Sequence, residues 1–303
     1  MKTTLEILSE ASEHGYAVGA FNIFNIESAQ AVARAAASSA SPVIVQITEN
    51  TLKYAGGEAV VEAVKRIIRD ELGERWPAAL HLDHGKSLRI LEYCLELGFT
   101  SVMFDGSRLP YEENLAETRK AAEMAHARGA SLQAELGSVF YAAETEKEGR
   151  SVDEDMTDPE QAARFVAETG CDTLAVAIGN AHGFLRERSE PDFERLSAIG
   201  EKVKVPLVLH GASDWGVDRA KEAIRRGITC FNVDTASRVA FTAALSAYFY
   251  NDPTAEARPR HYLALARDAM TQVVEKKMDI YGSVNRVSLK ANACGEREER
   301  SEA

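Results

Sequence analysis

The sequence has 303 residues, of which 45% are hydrophobic and 27% are charged; this is enough to bury a large core and is close to the size of one complete α/β barrel. Its formal net charge of -12 at pH 7 argues against nucleic acid or a membrane surface as a partner, because both carry negative charge. The N-terminus lacks the apolar core of a signal peptide, and no later stretch has about 18 uncharged apolar residues in a row. Together with four cysteines that form no C-x-x-C pair, this favours a cytoplasmic protein with reduced thiols.

Short β-branched runs alternate with amphipathic stretches from one end of the chain to the other. The predicted strands are AVGAFNI, PVIVQIT, AALHLDHG, SVMFDG, SLQAELG, TLAVAIG, PLVLHG and ITCFNVDT. Between them, stretches such as EAVVEAVKRIIRDELG carry apolar residues at the i, i+3 and i+4 spacing of helices. Strict alternation implies a parallel sheet, and eight such units close into a (β/α)8 TIM barrel, an α/β fold.

Two further helical stretches, SRVAFTAALSAYFYN and PRHYLALARDAMTQVVEKKMDIYG, follow the eighth strand. They predict extra C-terminal helices that extend past the barrel and either cap it or join subunits. No linker-like composition divides the chain. We therefore predict a single catalytic domain over residues 1–287, including this extension, and a flexible charged tail over residues 288–303.

Two connections are longer than the short loops that are usual in a compact domain. Residues 138–156 read SVFYAAETEKEGRSVDEDM, a polar and Glu-rich stretch, and residues 180–191 are also extended. Both follow predicted strands, so both belong to the C-terminal face of the barrel, where barrel enzymes have their active sites. Long loops in such places often act as lids.

Several side chains that suit metal binding or acid–base chemistry stand at the C-terminal ends of different strands. They are Asp83 and His84 in HLDHG, Glu135 in AELG, His182 in GNAHG and His210 in LHG. A closed barrel brings these strand ends to one mouth. Three imidazoles suit Zn²⁺ or a similar divalent ion and leave an open position for a substrate. Each histidine alone would be interpreted as a polar rim residue; the three together predict a metal site.

The remaining histidines carry weaker signals. His14, His126 and His261 lie on predicted helices or helix ends and are expected at the surface. His81 precedes Asp83 by two residues in a strand and so shares its face, which favours a supporting or structural role over direct metal ligation.

The last two strand-to-helix junctions, HGAS and NVDTAS, indicate a phosphate site. Small residues, hydroxyls and free backbone N–H groups near helix N-termini are what barrel enzymes use to bind phosphate. Gly211, Ser213, Asp234 and Thr235 are the candidates, with Asp234 as a helix cap or a ligand for a substrate hydroxyl, because its charge would repel phosphate. The alternative interpretation is that these residues are only N-caps.

In this order, the motifs resemble the class II, metal-dependent ketose-bisphosphate aldolases, and the likeness runs from about Leu5 to Val287. The matching stretches are GAFNIFNIES, SPVIVQIT, HLDHGKS, GFTSVMFDGS, AELGS, TLAVAIGNAHG, PLVLHGASD and NVDT. LHGASD, together with GSVNRV near the end, is most similar to the tagatose-bisphosphate branch, although fructose-bisphosphate aldolases share the same framework.

The resemblance implies a divalent ion, Zn²⁺ or another, bound by His84, His182 and His210, with the carboxylate of Glu135 close to it. It also implies a monovalent cation such as Na⁺ or K⁺ beside the phosphate, since many family members bind one there.

The resemblance further implies catalytic roles. Asp83 matches the aspartate that exchanges a proton with the C4 hydroxyl, and Asn232 matches the residue that steadies the enediolate. The positions matched to substrate-binding residues are Asn22, Thr48, Gly183, Gly211, Ser213, Asp234 and Thr235.

The reaction implied is the reversible aldol cleavage of a ketose 1,6-bisphosphate, fructose or tagatose, to dihydroxyacetone phosphate and glyceraldehyde 3-phosphate. In the family, zinc stabilises the enediolate, the task that a Schiff-base lysine performs in metal-free aldolases. Two alternatives stay open: an aldolase for a related ketose phosphate or deoxy-keto acid phosphate, and a metal-bound sugar-phosphate-binding subunit with little catalysis.

The partner is a small-molecule sugar phosphate, and a homodimer or homotetramer is expected. The distal phosphate site is not fixed, with Arg260 and Arg267 as candidates.

One stretch departs from the family pattern. In the family, AELG is followed by a Gly-Gly pair and then by an acidic pair, whose Glu donates and accepts the proton at C3. Here Phe140 and Tyr141 stand at the glycines, Ala143 at the catalytic Glu, and Glu144 one residue later. We predict that Glu144, or else Glu146, takes over the acid–base role; the alternatives are an altered step and a merely solvated loop.

Overall fold

The computed structural model describes residues 1–139, 156–183, 190–251 and 258–287. Each of its eight strands pairs in parallel with the next, and β8 pairs with β1, so the sheet closes into a barrel. The predicted TIM barrel is thus confirmed. The strands are β1 (Val18–Asn22), β2 (Val43–Thr48), β3 (Ala78–Gly85), β4 (Ser101–Phe104), β5 (Ser131–Leu136), β6 (Thr173–Val176), β7 (Leu207–Leu209) and β8 (Ile228–Val233).

Helices connect the strands and follow the last one. Within the described ranges they are α1 (Thr4–Glu13), α2 (Ile26–Ser39), α3 (Glu49–Tyr54), α4 (Glu58–Leu72), α5 (Leu88–Glu96), α6 (Tyr111–His126), α7 (Pro159–Thr169), α8 (Phe193–Lys202), α9 (Val217–Arg225), α10 (Thr235–Asn251) and α11 (Pro259–Tyr281).

Polar residues at the helix starts explain where several helices begin. Asn25 caps α2 by accepting from Ser28 N at 2.9 Å, and Asp158 caps α7, which begins with Pro159. These side chains satisfy backbone N–H groups that have no partner inside the helix.

The first helix, α1, is not among the predicted elements. Thr3 and Glu6 form a capping box at its start. Its apolar face then closes the N-terminal end of the barrel, where it shares one buried cluster with the inward-facing apolar residues of the strands. The members are Ile7, Leu8, Ala11, Tyr16, Val18, Ala20, Ile44, Ala79, Ala175, Val208 and Cys230.

Strand side chains alternate between the helices outside and the barrel interior. Outward residues such as Phe21, Leu80 and Leu132 belong to the large core between sheet and helices. Inside, the apolar cluster fills the N-terminal half, and polar side chains follow it towards the C-terminal ends of the strands. This polarity gradient places the reactive groups at the mouth.

The predicted C-terminal helices are present as α10 and α11, which pack against each other. α11 also packs against α2 and β1, so the extension lies beside the barrel. Residues 288–303, the predicted tail, lie outside the described residues. Among the described helices, none combines the length and the apolar character needed to cross a membrane.

Candidate active site

A cavity of about 550 Å³ opens at the C-terminal ends of the strands. His210 is fully buried behind it; of the other residues predicted to act in catalysis, metal binding or substrate binding, all those in the described ranges line this cavity, except the distal-phosphate candidates Arg260 and Arg267. The lining residues among them are Asn22, Thr48, Asp83, His84, Glu135, His182, Gly183, Gly211, Ser213, Asn232, Asp234 and Thr235.

Three histidines converge beside this cavity from the ends of β3, β6 and β7. The ring centroid of His84 lies 4.8 Å from that of His210 and 5.6 Å from that of His182. Nε2 of His84 is 3.1 Å from Nδ1 of His210. One nitrogen from each of the three rings lies within 4.8 Å of the others, an arrangement that could hold a metal ion.

A second set of metal donors shares His84 with the first. It consists of His84, Asp105 and Glu135, whose donor atoms also lie within 4.8 Å of one another. His84 Nδ1 is 2.9 Å from Asp105 Oδ2 and 3.9 Å from Glu135 Oε2. Glu135 is therefore near the histidines, as expected, but groups with Asp105 rather than with all three imidazoles.

Asp105 was missed as a site residue, although the sequence held a usable signal. It follows β4 directly, the same kind of position that singled out the other site residues. It also accepts from the hydroxyl and N–H of Ser107, the local pattern of an ordinary turn, which is how an isolated Asp in FDGS would be interpreted.

The backbone explains how adjacent residues can both face the mouth. Successive strand residues normally point to opposite faces, but His84 has a left-handed φ of 53°, and the β3–β4 register shifts between Leu82 and Gly85. Asp83 and His84 consequently both line the cavity. A left-handed non-glycine residue is strained, and such strain clusters at functional sites.

The charges around His84 favour a cation. Burial lowers the pKa of His84, but the carboxylates of Asp83, Asp105 and Glu135 outweigh it and raise that pKa to about 10. Burial raises the pKa of Glu135 to about 8, against the opposing charge of His84. The carboxylates of Asp83 and Asp105 thus stabilise a positive charge at this position.

The other two imidazoles are held neutral. Burial and the charge of His84 lower the pKa of His182 to about 4, and the same causes lower the pKa of His210 well below its ordinary value. Neutral imidazoles are the form that ligates a metal. In addition, Oε2 of Glu135 is buried and accepts no hydrogen bond within the described part of the chain. The donor set therefore fits a divalent ion.

Asp83 is held by two amides. Asn22 Nδ2 donates to its Oδ2 at 2.7 Å, and Asn232 Nδ2 donates to its Oδ1 at 3.3 Å. Its carboxylate is 3.9 Å from Nε2 of His84. Asp83 therefore lies beside the histidines and carries hydrogen bonds that orient it towards the cavity.

The turns after β7 and β8 meet, as the predicted phosphate site requires. Asp234 N donates to Ser213 Oγ at 3.3 Å. Asp234 Oδ2 also lies 2.5 Å from Nη2 of Arg238, which offsets its negative charge at the mouth. Gly211 has a left-handed φ of 63°, and its backbone lies so close to Ala181 that a Cβ there would sit 2.6 Å from the Ala181 carbonyl carbon.

The histidines outside this group lie as expected. His14 and His126 are exposed, and His126 pairs with Asp172 at 2.8 Å; His261 is exposed on α11. His81 is fully buried inside the barrel, with Nδ1 2.7 Å from Ser101 Oγ. Burial lowers the pKa of His81 to about 4, so it is a neutral interior residue.

The basic side chains that line the cavity are not the two arginines that the sequence suggested for the distal phosphate. Neither Arg260 nor Arg267 lines the cavity, and Arg267 bonds with Asp268 and Gln30 instead. The basic residues lining the cavity are Lys53, Lys86, Arg108 and Arg238.

The predicted acid–base residues of the long loop, Glu144 and Glu146, lie outside the described residues, as do positions 184–189 of the second long connection. Ser138 and Val139, which lead into the first loop, line the cavity.

Comparison with known proteins identifies the family that this fold and mouth belong to. The family model for class-II fructose-bisphosphate aldolase matches residues 2–286. The chain therefore belongs to the class II fructose-bisphosphate aldolase family, and it is a class II aldolase, a carbon–carbon lyase.

Solved structures agree with this assignment. The chain is similar to the YdjI aldolase from Escherichia coli K12, at 30% identity and a TM-score of 0.82, covering 95% of this chain and 100% of that one. It is equally similar to a protein assigned as a fructose-1,6-bisphosphate aldolase from Coccidioides immitis, at 30% identity and a TM-score of 0.82, covering 94% and 98%. It shares its fold with a fructose-bisphosphate aldolase (Fba) from Campylobacter jejuni, at 23% identity and a TM-score of 0.77, covering 92% and 94%.

Proposed function

We propose that the protein cleaves a ketose 1,6-bisphosphate, fructose or tagatose, reversibly into dihydroxyacetone phosphate and glyceraldehyde 3-phosphate. The observation that carries the proposal is the convergence of His84, His182 and His210 with the carboxylate of Asp83 beside them, at the mouth of a barrel from the class II aldolase family.

In this proposal the three histidines hold Zn²⁺ or another divalent ion, with Glu135 and Asp105 as further donors. When bound, such an ion supplies Lewis-acid polarisation of the C2 carbonyl and stabilises the negative charge that develops when the C3–C4 bond breaks. The proposal includes a monovalent cation near the phosphate, Na⁺ or K⁺, as in many members of the family.

The chain's own residues carry the protons. Asp83 accepts the proton of the C4 hydroxyl, the C3–C4 bond breaks, and C4 leaves as an aldehyde while its bonding electrons remain on the C2–C3 enediolate. Asn22 and Asn232 hold Asp83 by hydrogen bonds of 2.7 and 3.3 Å. We propose that Asn232 also donates to the enediolate, and that Glu144 or Glu146 then delivers a proton to C3.

We propose that the substrate is bound by residues at the ends of neighbouring strands, from β6 round to β2. Gly183, Gly211, Ser213 and Thr235 contact the phosphate through N–H groups and hydroxyls, and Asp234 contacts a substrate hydroxyl. Asn22 and Thr48, at the ends of β1 and β2, line the cavity next to them.

A second candidate is an aldolase for a related ketose phosphate without the distal phosphate. The observation that favours it is the position of Glu49: it pairs with Lys53 at 3.6 Å and accepts from Lys86 N at 2.9 Å. This carboxylate partly neutralises the charge of Lys53, and carboxylates repel phosphate but bind hydroxyls.

One assay separates these candidates. Protein reconstituted with Zn²⁺ is given fructose 1,6-bisphosphate, tagatose 1,6-bisphosphate and the corresponding ketose 1-phosphates, and dihydroxyacetone phosphate release is measured. The proposal expects the highest kcat/KM with a bisphosphate. Preference for a 1-phosphate supports the second candidate, and no release from any of them contradicts both.

We also propose a homodimer or homotetramer. Support comes from apolar side chains on the C-terminal helices that are partly exposed, Val239 and Phe249 on α10 and Leu265 on α11, at 41–48%. Exposed apolar patches often mark contacts between chains. Light scattering at several protein concentrations tests this, and a monomer throughout would contradict it.

A further inference from the structure

Lys277 is a buried lysine on α11 that does not line the cavity. It is 7% exposed, whereas the neighbouring Lys276 is exposed. Its Nζ donates to the main-chain oxygen of Trp215 at 3.2 Å. Removing an ammonium group from water is costly unless other groups replace the lost hydration, so the burial of Lys277 calls for a compensating role.

The carbonyl that Lys277 contacts belongs to the turn at residues 212–215, which follows β7 and the His210–Gly211 pair. Trp215 N donates to Ala212 O at 3.0 Å, which closes the turn. Ser213, inside the turn, lines the cavity, and its hydroxyl accepts from Asp234 N at 3.3 Å. Lys277 therefore contacts the turn that presents Ser213 to the cavity, and it does so from outside the cavity.

The same turn supplies a charge partner. Burial lowers the pKa of Lys277, and the carboxylate of Asp214 opposes that shift. Trp215, whose main-chain oxygen accepts from Lys277, is also held through its side chain: it is 3% exposed, and its ring packs edge-on against Phe193 at 6.3 Å between centroids. The turn is thus fixed by one cation and one buried aromatic ring.

We propose that Lys277 is a positioning residue for the substrate's phosphate group: it fixes the turn at residues 212–215 and places a positive charge behind the hydroxyl and N–H groups that contact the phosphate. This inference rests on the proposed function, in which Gly211 and Ser213 bind that phosphate. A residue that served packing alone would tolerate an apolar side chain of similar length without loss of phosphate binding.

The test compares Lys277→Met with Lys276→Met, the same substitution at the exposed neighbouring position, and with the charge-retaining Lys277→Arg. Zn²⁺-loaded proteins are titrated with dihydroxyacetone phosphate, inorganic phosphate and unphosphorylated dihydroxyacetone, and bound zinc is quantified. Lys277→Met is expected to weaken binding of the two phosphate-bearing probes about tenfold, with dihydroxyacetone binding and zinc content unchanged. Lys276→Met should match the parent, and Lys277→Arg should retain most of the affinity.

Parental phosphate affinity in Lys277→Met, or an equal loss for dihydroxyacetone, would overturn the proposal, because a general packing defect acts on both probes alike. If Lys277→Met fails to fold, Lys277→Gln removes the charge but keeps a donor for Trp215 and decides the same question. The proposed function fails separately, if the parent releases no dihydroxyacetone phosphate; inorganic phosphate binding then still tests Lys277.

Discussion

Oε1 of Gln133 lies 3.0 Å from Nε2 of His210, and these two side chains are 2% and 0% exposed. The same Nε2 lies 3.0 Å from Nδ2 of Asn232, and the other ring nitrogen, Nδ1, faces His84 Nε2 at 3.1 Å. Asn180 adds a bond from its Nδ2 to the His210 main-chain oxygen at 2.9 Å. These contacts fix the ring plane of His210 with Nδ1 facing His84, the orientation that the proposed metal site requires.

Gln133→Leu is therefore expected to weaken Zn²⁺ binding about 10–100-fold, because the imidazole loses a hydrogen-bond partner that fixes its ring plane. Gln46→Leu is the matched control, since Gln46 is also a fully buried amide, and both of its polar side-chain atoms have no hydrogen-bond partner in the described structure. Competition with a chelator measures both affinities. Equal zinc affinity in Gln133→Leu and the parent would contradict this role.

Asp83→Ala is expected to keep bound zinc but to lose cleavage by about 10²–10⁴-fold, the usual contribution of a general acid–base group. The structure motivates this because Asp83 is bonded to Asn22 and Asn232 rather than grouped with the metal donors. Metal analysis and turnover on the same sample decide the matter. Loss of zinc, with residual turnover proportional to occupancy, would make Asp83 a ligand instead.

Gly211→Ala is expected to impair metal and phosphate binding together. Its added Cβ would sit 2.6 Å from the Ala181 backbone, so the segments that carry His182 and His210 must move apart. Gly129→Ala is the control, because Gly129 has a similar φ of +68° but nothing within 4 Å of its Cβ.

Both glycine variants should lose about 1–2 kcal/mol of folding stability from the left-handed backbone, which thermal unfolding measures. Only Gly211→Ala should also lose zinc affinity and raise KM for the ketose phosphate. If the two variants have the same zinc affinity, the contact with Ala181 does not position the site.

The barrel could be predicted from the sequence because its signal is periodic: eight apolar runs alternate with helical stretches, and eight such units close into a parallel barrel. α1 was missed since a short amphipathic helix ahead of the first strand has no place in that alternation. Its role, closing the interior with Ile7, Leu8 and Ala11, follows only from where the strands begin.

The site was predictable only where strand ends carry distinctive residue types. Histidines at three strand ends stand out, whereas Gln133 and Asp105 look like ordinary strand and turn residues until the barrel closes. Lys277 shows the limit most clearly: Lys276 and Lys277 are the same residue type, and only the packing of α11 decides which of them is buried.

The acid–base role of the long loop is tested by exchange of the C3 proton of dihydroxyacetone phosphate with solvent. The double variant Glu144→Ala/Glu146→Ala is expected to exchange far more slowly than the parent, with one single variant accounting for most of the loss. Glu160→Ala, an exposed Glu on α7 that does not line the cavity, is the control. Exchange at the parental rate in the double variant would make both loop glutamates solvated bystanders.

In the proposed function, three histidines hold the ion on which aldol cleavage depends, and stepwise reconstitution of chelator-treated protein tests this dependence. Zn²⁺ is added in fractions of an equivalent, and dihydroxyacetone phosphate release from the preferred ketose phosphate is followed for the parent and for His182→Ala. The parent should gain activity in proportion to zinc up to about one equivalent per chain, while His182→Ala keeps its circular dichroism spectrum and remains inactive. Full dihydroxyacetone phosphate release by the zinc-free parent, or parental turnover by His182→Ala, would contradict the account.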